Sequence, residues 1–216
     1  AIASAKCMLF SIILLGTALS GFGQTVIPGG AVSGTWTAAG SPYLVNGAIM
    51  IAHDSTLVIE PGVSIEFQGN YKFLVMGRLI AIGTPADSIS ITAADTTNGW
   101  LGIRFENTES SNDTSRISYC SISYGKAMAA PPNDCGGAFY FEEFSKAVIS
   151  NSFISNCAAD NDGGAIYCLS SSPRILNNAI NNNSSNSGGG AIYCDDSSPL
   201  ISGNTISGNT FVDGAI

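Results

Sequence analysis

The sequence predicts an all-β fold in which the chain winds as a parallel β-helix, a solenoid of short strands joined by turns. Three observations lead there: a repeat of 24 to 27 residues in the C-terminal half, a period-2 alternation within each repeat, and a composition that is only 11% charged but rich in Gly, with 25 glycines. Ankyrin-type and tetratricopeptide repeats are excluded because they need about 33 residues and helix-forming sequence.

The repeat is defined by three aligned lines and the beginning of a fourth. Within a line, Ile166 and Cys168 are separated by Tyr167, which is the alternation of a half-buried strand. Because the fourth line stops early, we expect a solenoid that is truncated at its C-terminus. The lines share a Gly-Ala motif whose alanines are 27, 26 and 24 residues apart: Ala138, Ala165, Ala191 and Ala215.

Stacking the lines predicts rows of equivalent side chains, because neighbouring coils of paired strands lie about 4.8 Å apart. We expect two amide rows at turns, since stacked amides can hydrogen-bond from coil to coil. An outward aromatic row is expected at Tyr140, Tyr167 and Tyr193. The expected inward rows are Phe139, Ile166 and Ile192; Phe141, Cys168 and Cys194; Val148, Ile175 and Ile201; and Phe153, Ile180 and Ile206. The expected amide rows are Asn151, Asn178 and Asn204, and Asn156, Asn183 and Asn209.

The rest of the chain is divided by the same patterns. Residues 100–216 are assigned to the β-helix repeats, with a degenerate first coil in which Cys120 takes the place of the turn Asn. That coil is longer than the later ones, and we assign the excess to a protruding loop at 126–134. Residues 45–99 contain shorter strand-like runs, which predicts an N-terminal cap and the first coils, and 21–44 are assigned to a leader or cap segment.

Residues 1–20 are typical of a secretory signal peptide. Lys6 precedes an apolar run from Met8 to Leu15, and small residues follow it. Cleavage is predicted after Ser20, with Gly23 as the alternative. The run is too short to cross a bilayer comfortably, so no transmembrane segment is expected in the mature chain. Five of the six cysteines follow the predicted cleavage site, and this odd number leaves their disulfide state open.

Two stretches resemble known families. Residues 56–84 resemble the N-terminal cap and first coils of secreted bacterial right-handed parallel β-helix proteins, and the GGAIYC lines resemble the pectin-lyase-type repeat. The pairing of GGAI at 163–166 with Phe-x-x-Asn at 153–156 is similar to the repeat of chlamydial polymorphic outer-membrane proteins. The resemblance implies the right-handed sense, a secreted or outer-membrane location, and a downstream secretion or anchoring domain that the given chain lacks.

Two functions fit this fold. The favoured one is a non-catalytic, exported adhesin or binding stalk for a polysaccharide or a host or cell-surface glycan. The alternative, implied by the pectin-lyase resemblance, is a polysaccharide lyase or glycoside hydrolase with Glu106 and Glu142 as candidate catalytic carboxylates. Both follow the same strand in successive coils, so we expect them one strand spacing apart, about 4.8 Å. No cofactor is expected, with calcium near these acids as the exception.

The remaining motifs predict no chemistry. His53 is the only histidine and lies in a turn, so no Ser/His/Asp arrangement is expected. Residues 160–163 lack the repeated nonapeptide of calcium-binding β-rolls and are assigned to a turn. Cys168 and Cys194 are expected to pack in the core, with a disulfide between coils as the alternative. The net charge of −8 and the pI of 4.3 argue against nucleic acid as a partner.

Overall fold

The computed structural model describes residues 23–212, and these residues form 26 short strands in four sheets. Sheet 1 contains β1 (Thr25–Ile27), β4 (Tyr43–Val45), β7 (Ser64–Phe67), β10 (Ile89–Ala93), β13 (Cys120–Ser123), β17 (Phe153–Ser155), β21 (Ala179–Asn181) and β25 (Thr205–Ser207). Sheet 2 contains β2 (Gly30–Ala31), β5 (Ile49–Ile51), β8 (Phe73–Val75), β11 (Ile103–Phe105), β15 (Phe139–Glu142), β19 (Ile166–Leu169) and β23 (Ile192–Asp195).

The other two sheets complete each coil. Sheet 3 contains β3 (Gly34–Trp36), β6 (Thr56–Ile59), β9 (Arg78–Ile82), β12 (Ser115–Ser118), β16 (Ala147–Ser150), β20 (Arg174–Leu176) and β24 (Leu200–Ser202). Sheet 4 begins only in the later coils and contains β14 (Lys126–Ala127), β18 (Ala158–Ala159), β22 (Ser184–Ser185) and β26 (Thr210–Phe211). The described residues also include one short 3-10 helix, Ala38–Gly40, and no α-helix.

Every strand pairs in parallel with the equivalent strand of the next coil, which confirms the parallel β-helix. For example, β15 pairs with β19, and β19 pairs with β23. The right-handed sense implied by the resemblance is also the strongly preferred one for parallel connections. Sheets 1, 2 and 3 begin at Thr25, Gly30 and Gly34 and run through the predicted boundaries at 44/45 and 99/100 without a break. The domain boundaries themselves stay a prediction.

The core is a stack of alternating inward side chains. In the early coils the strands carry one buried residue in two, as in Tyr43–Val45, where only the central Leu44 is partly exposed. Two of the predicted inward rows are confirmed by the pairing register: Phe139, Ile166 and Ile192, and Phe141, Cys168 and Cys194. Each fully buried apolar side chain of this kind contributes about 1.5 to 3 kcal/mol, so the stack supplies most of the stabilisation.

The other two predicted inward rows are wrong by one residue. Val148 pairs with Arg174 and is half-buried, whereas Ile149 is fully buried and pairs with Ile175. In the same way Phe153 pairs with Ala179 and is 44% exposed. The true inward rows are Ile149, Ile175 and Ile201, and Ile154, Ile180 and Ile206.

The one-residue error in both rows has a single cause: Lys146 is an extra residue in its coil. The backbone N–H of Ser172 donates to the hydroxyl of Ser145, 27 residues earlier, but Arg174 pairs with Val148, 26 residues earlier. The coil that contains Lys146 is therefore one residue longer at this point, and aligning the lines without a gap shifts everything that follows.

The same one-residue shift changes which residues belong to the predicted amide rows. Asn151 and Asn156 do not belong to them; both are exposed and have positive φ angles of 50° and 55°, the left-handed conformation that Asn tolerates at a turn. Asn178 and Asn183 do form coil-to-coil amide contacts, 3.0 Å to the side chain of Asn204 and 2.9 Å to that of Asn209. In the preceding coil these places are taken by Ser152 and Cys157.

The Gly-Gly-Ala motif is explained by two different constraints. Gly163 has a φ of +68°, which favours glycine. Gly164 has ordinary backbone angles, but a Cβ there would collide with the carbonyl oxygens of Gly190 and Ser184 in the neighbouring coil. Ala165, which is 0% exposed, follows this crowded corner directly before the strand begins.

The long coil between Phe105 and Phe141 has two enlarged loops instead of one. Phe139 lies 12 positions after Ala127, whereas Ile166 lies seven positions after Ala159 in the next coil, which confirms an enlarged loop after β14. Ile117 also lies 12 positions after Phe105, whereas Ile149 lies eight positions after Phe141. The second enlargement, at 106–114, was not predicted.

The predicted signal peptide lies outside the described residues except for its alternative end at Gly23. Among residues 23–212 no helix is long and apolar enough to cross a membrane.

Candidate functional site

The outward face of sheet 2 carries a stacked aromatic row, as predicted. The ring of Tyr167 lies 5.5 Å from that of Tyr140 and 5.6 Å from that of Tyr193, with interplanar angles of 3° and 5°. Tyr140 and Tyr167 are 2% and 8% exposed and pack with Cys135. The row is therefore covered by the chain itself, and only its last member is partly open to a ligand.

Arg104 stands at the start of this row and is fully buried. Its guanidinium lies over the ring of Tyr140, 5.1 Å from the centroid, and donates hydrogen bonds to the carbonyl oxygens of Leu101 and Cys135. Its Nη2 has no hydrogen-bond partner among the described residues. Burial lowers the pKa of Arg104 to about 10, and the nearby Glu106 acts in the opposite direction. Arg104 is not among the residues predicted from the sequence to be functional.

Glu106 and Glu142 follow paired strands, as the coil register requires. Phe105 pairs with Phe141, so the two carboxylates come next to each other at the ends of β11 and β15. Glu106 is only 7% exposed; its Oε2 lies 3.3 Å from Nζ of Lys72, and its Oε1 is buried without a hydrogen-bond partner. Their assignment as catalytic residues stays a prediction.

Glu142 opens onto a shallow cleft of about 280 Å³. Burial raises the pKa of Glu142, and the charges of Glu106 and Glu143 raise it further. The residues that line the cleft are Asn107, Thr108, Ser110, Glu142 and Glu143. The protruding loop at 126–134 contributes none of them, and the second enlarged loop at 106–114 forms one wall of the cleft.

The acidic pair has no continuation along the helix axis. Glu142 pairs with Leu169, and Leu169 pairs with Asp195, so an apolar residue interrupts the row. Within residues 23–212 no three side chains among His, Cys, Asp and Glu come together as a metal site. Calcium binding stays a prediction that these contacts do not support.

The motifs to which no chemistry was assigned have structural partners. His53 lies 3.8 Å from a carboxylate oxygen of Glu109, and both side chains are well exposed. In the 160–163 turn, Asp162 accepts a hydrogen bond of 2.6 Å from the backbone N–H of Gly188, so it holds two neighbouring coils together.

The cysteines of the described residues are all free thiols. Cys168 and Cys194 occupy paired positions in the inward row. Their mutual hydrogen bond lowers the pKa of Cys194 to about 7 and raises that of Cys168, whose burial acts in the same direction. Burial raises the pKa of Cys120 and of Cys157 to about 12, so both stay neutral thiols of the core.

Residues 152–169 and 179–195 match the family model of the Chlamydia polymorphic membrane protein repeat. These two segments are similar to that repeat. The match begins at Ser152, beside the amide row, and its first copy ends at the end of β19. The predicted resemblance to this repeat is confirmed, together with the stacked parallel sheets that it implies. Searches of curated proteins and of solved structures found no significant match.

Proposed function

We propose that this chain is an adhesin-like binding solenoid, exposed on the bacterial outer membrane or released from it, and that it is not an enzyme. The observation that carries the proposal is the pair of polymorphic-membrane-protein-like repeats, which lie in the regular part of the β-helix. The name of that family supports a membrane-associated location. Rows of constant inward residues with variable turns suit a stalk that presents its surface to a partner.

The contacts of the acidic pair also favour binding over catalysis. A retaining glycosidase needs two carboxylates about 5 to 5.5 Å apart, with one free to act as a nucleophile. Glu106 is instead buried and held by Lys72, so it is poorly placed to reach a substrate.

Surface exposure can be tested on intact cells that express the native protein. We expect an added protease to cut the protein without lysing the cells, and purified protein to compete with the cells for attachment to a glycan-coated surface. A periplasmic control protein must stay intact in the same experiment. Protection of the chain until the cells are lysed would contradict the proposal.

One observation favours the enzyme as a second candidate: the raised pKa of Glu142 beside a second carboxylate suits a general acid. Purified protein would be assayed on acidic polysaccharides with and without calcium. We expect no turnover. Activity that disappears in Glu142→Gln, but persists in the control Glu60→Gln at an exposed distant turn, would establish the enzyme and overturn the non-catalytic role.

A further inference from the structure

The outward face of sheet 3 differs in charge from the rest of this acidic protein. The described strands of this sheet contain three arginines and no Asp or Glu. The protein as a whole has eight basic and sixteen acidic residues. Where basic side chains cluster on one face of an acidic protein, the local electrostatic potential is opposite in sign to the net charge.

Two of these arginines, together with Lys146, line one cleft of about 220 Å³. Arg116 and Arg174 flank Val148 in a single outward row, and Lys146 is the extra residue that displaces the register of this coil. All three side chains are exposed. Among residues 23–212 none of them forms an ion pair, and the nearby carboxylate of Asp113 is engaged with Arg78 at 3.6 Å.

The spacing of the two arginines is set by the sheet. They are two strands apart, which corresponds to about 10 Å along the solenoid axis. Each guanidinium can hold a carboxylate or sulfate through two parallel hydrogen bonds. The row therefore offers two anion-binding groups at a fixed interval, with Lys146 between them as a third positive charge.

Between and beside the cations the row is aliphatic. Its members along the axis are Val58, Ile80, Arg116, Val148, Arg174 and Leu200. Val58, Ile80 and Val148 are half-buried, and Leu200 is 51% exposed. Such a surface can contact the C–H faces of sugar rings while the guanidinium groups bind their acidic substituents.

We infer that this cationic cleft binds a linear acidic polysaccharide that carries a carboxylate or sulfate on about every second sugar. When every second sugar is charged, the acidic groups recur at a distance comparable to that between Arg116 and Arg174. The inference deepens the proposed function, on which it rests, by naming the site and the ligand class.

Two other polyanions fit less well. Nucleic acid carries a charge on every nucleotide, so the net charge of −8 repels it more strongly. The described outward row from Val58 to Leu200 contains no aromatic side chain on which a base could stack. An anionic lipid surface would need a broader cationic patch, and the next strand of the row places Leu200 beyond Arg174.

Calorimetric titration of the purified chain with hyaluronan oligosaccharides at low salt tests the inference. We expect saturable binding that is weakened about tenfold in Arg174→Gln, since a charged hydrogen bond is lost, and abolished in Arg116→Gln/Arg174→Gln. Lys126→Gln removes the same charge from sheet 4 and is expected to keep the parent affinity. Unchanged melting temperatures would show that the variants are folded.

Three outcomes would overturn the inference. These are the absence of saturable binding, an equal loss in Lys126→Gln, and binding to phosphatidylglycerol vesicles without binding to hyaluronan. None of them affects the protease experiment on intact cells, so this site can fail while the surface location holds. A chain that binds hyaluronan but is hidden from protease would instead contradict the proposed function alone.

Discussion

The two ends of the solenoid fill the same inward row with opposite chemistry. In two early coils the row contains Val63 and Ile89, both 0% exposed. It continues through Cys120 and Ser152 and ends in amides, of which Asn178 is only 2% exposed. One position of the coil therefore changes from hydrocarbon to hydrogen-bonding side chains along the axis.

The difference is linked to the length of the turn that precedes the row. Four residues connect β6 to β7, and this turn satisfies its own backbone, since the N–H of Val63 donates to the carbonyl of Glu60. Only two residues connect β20 to β21, and side chains supply hydrogen bonds to the backbone here. There the carboxamide oxygen of Asn178 accepts from the N–H of Ser152. In these two coils the short turn is accompanied by an amide in the row and the long turn by an apolar residue.

The largest expected loss of stability comes from replacing an amide of the row at the C-terminal end with an apolar side chain like those at the N-terminal end. Asn178→Leu keeps the size of the side chain but leaves the N–H of Ser152 buried without a partner. It also removes the hydrogen bonds that the carboxamide donates to the carbonyl of Ile149 and to the side chain of Asn204. With 1 to 3 kcal/mol for the unpaired N–H and about 1 kcal/mol for each lost hydrogen bond, we expect a loss of about 4 kcal/mol in the free energy of unfolding, measured with urea. The control Asn161→Leu at an exposed turn should change little. If Asn178→Leu were as stable as the parent, amide hydrogen bonds would not be what stabilises this end of the row.

A somewhat smaller loss is expected when the apolar end is truncated. Ile89→Ala removes a fully buried side chain from a position where hydrocarbon packing provides the stability. We expect a loss of about 3 kcal/mol from the cavity, measured by the same unfolding experiment. Ile82→Ala, at a side chain that is 40% exposed, is the matched control and should cost little. A negligible cost for Ile89→Ala would mean that packing does not stabilise this end.

The smallest effect, and the only gain, is expected at the transition between the two ends. Ser152 already accepts from the N–H of Cys120 at 3.1 Å, so Ser152→Asn would extend the amide row by one coil. We expect a gain of up to about 1 kcal/mol, the net value of one added hydrogen bond. Ser121→Asn, on a half-buried strand position outside the row, should bring no gain. A loss in Ser152→Asn would show that this coil has no room for the amide.

The sequence alone predicted the parts of the fold that repeat. Strand alternation and the Gly-Gly-Ala motif identified the coils, and the register of β15, β19 and β23 followed from them. The single residue Lys146 could not be recognised as extra, because its neighbours Ala147 and Val148 suit an inward position equally well. Which apolar residue faces inward was decided by pairing with the next coil, and that is a non-local property.

The candidate sites were harder to predict from the sequence, for a related reason. The register brought Glu106 and Glu142 together in the sequence analysis, but Lys72 lies 34 residues from Glu106 and belongs to the preceding coil. Its contact depends on the length of every turn between them. The cationic cleft was missed because Arg116, Lys146 and Arg174 are single charges in different lines, and only the stacked coils place them side by side.

The uniform spacing of the amide rows has a consequence for how such a chain can change in length. Ser152 bonds to Asn178 and Asn178 to Asn204, each time across 26 residues. Removing residues 163–188 would join Asp162 to Gly189 and leave every later side chain in the row it occupies now. Duplication of the same segment would lengthen the protein by one turn of the solenoid. Any other number of residues would have to be absorbed in a loop, as the coil between Phe105 and Phe141 does.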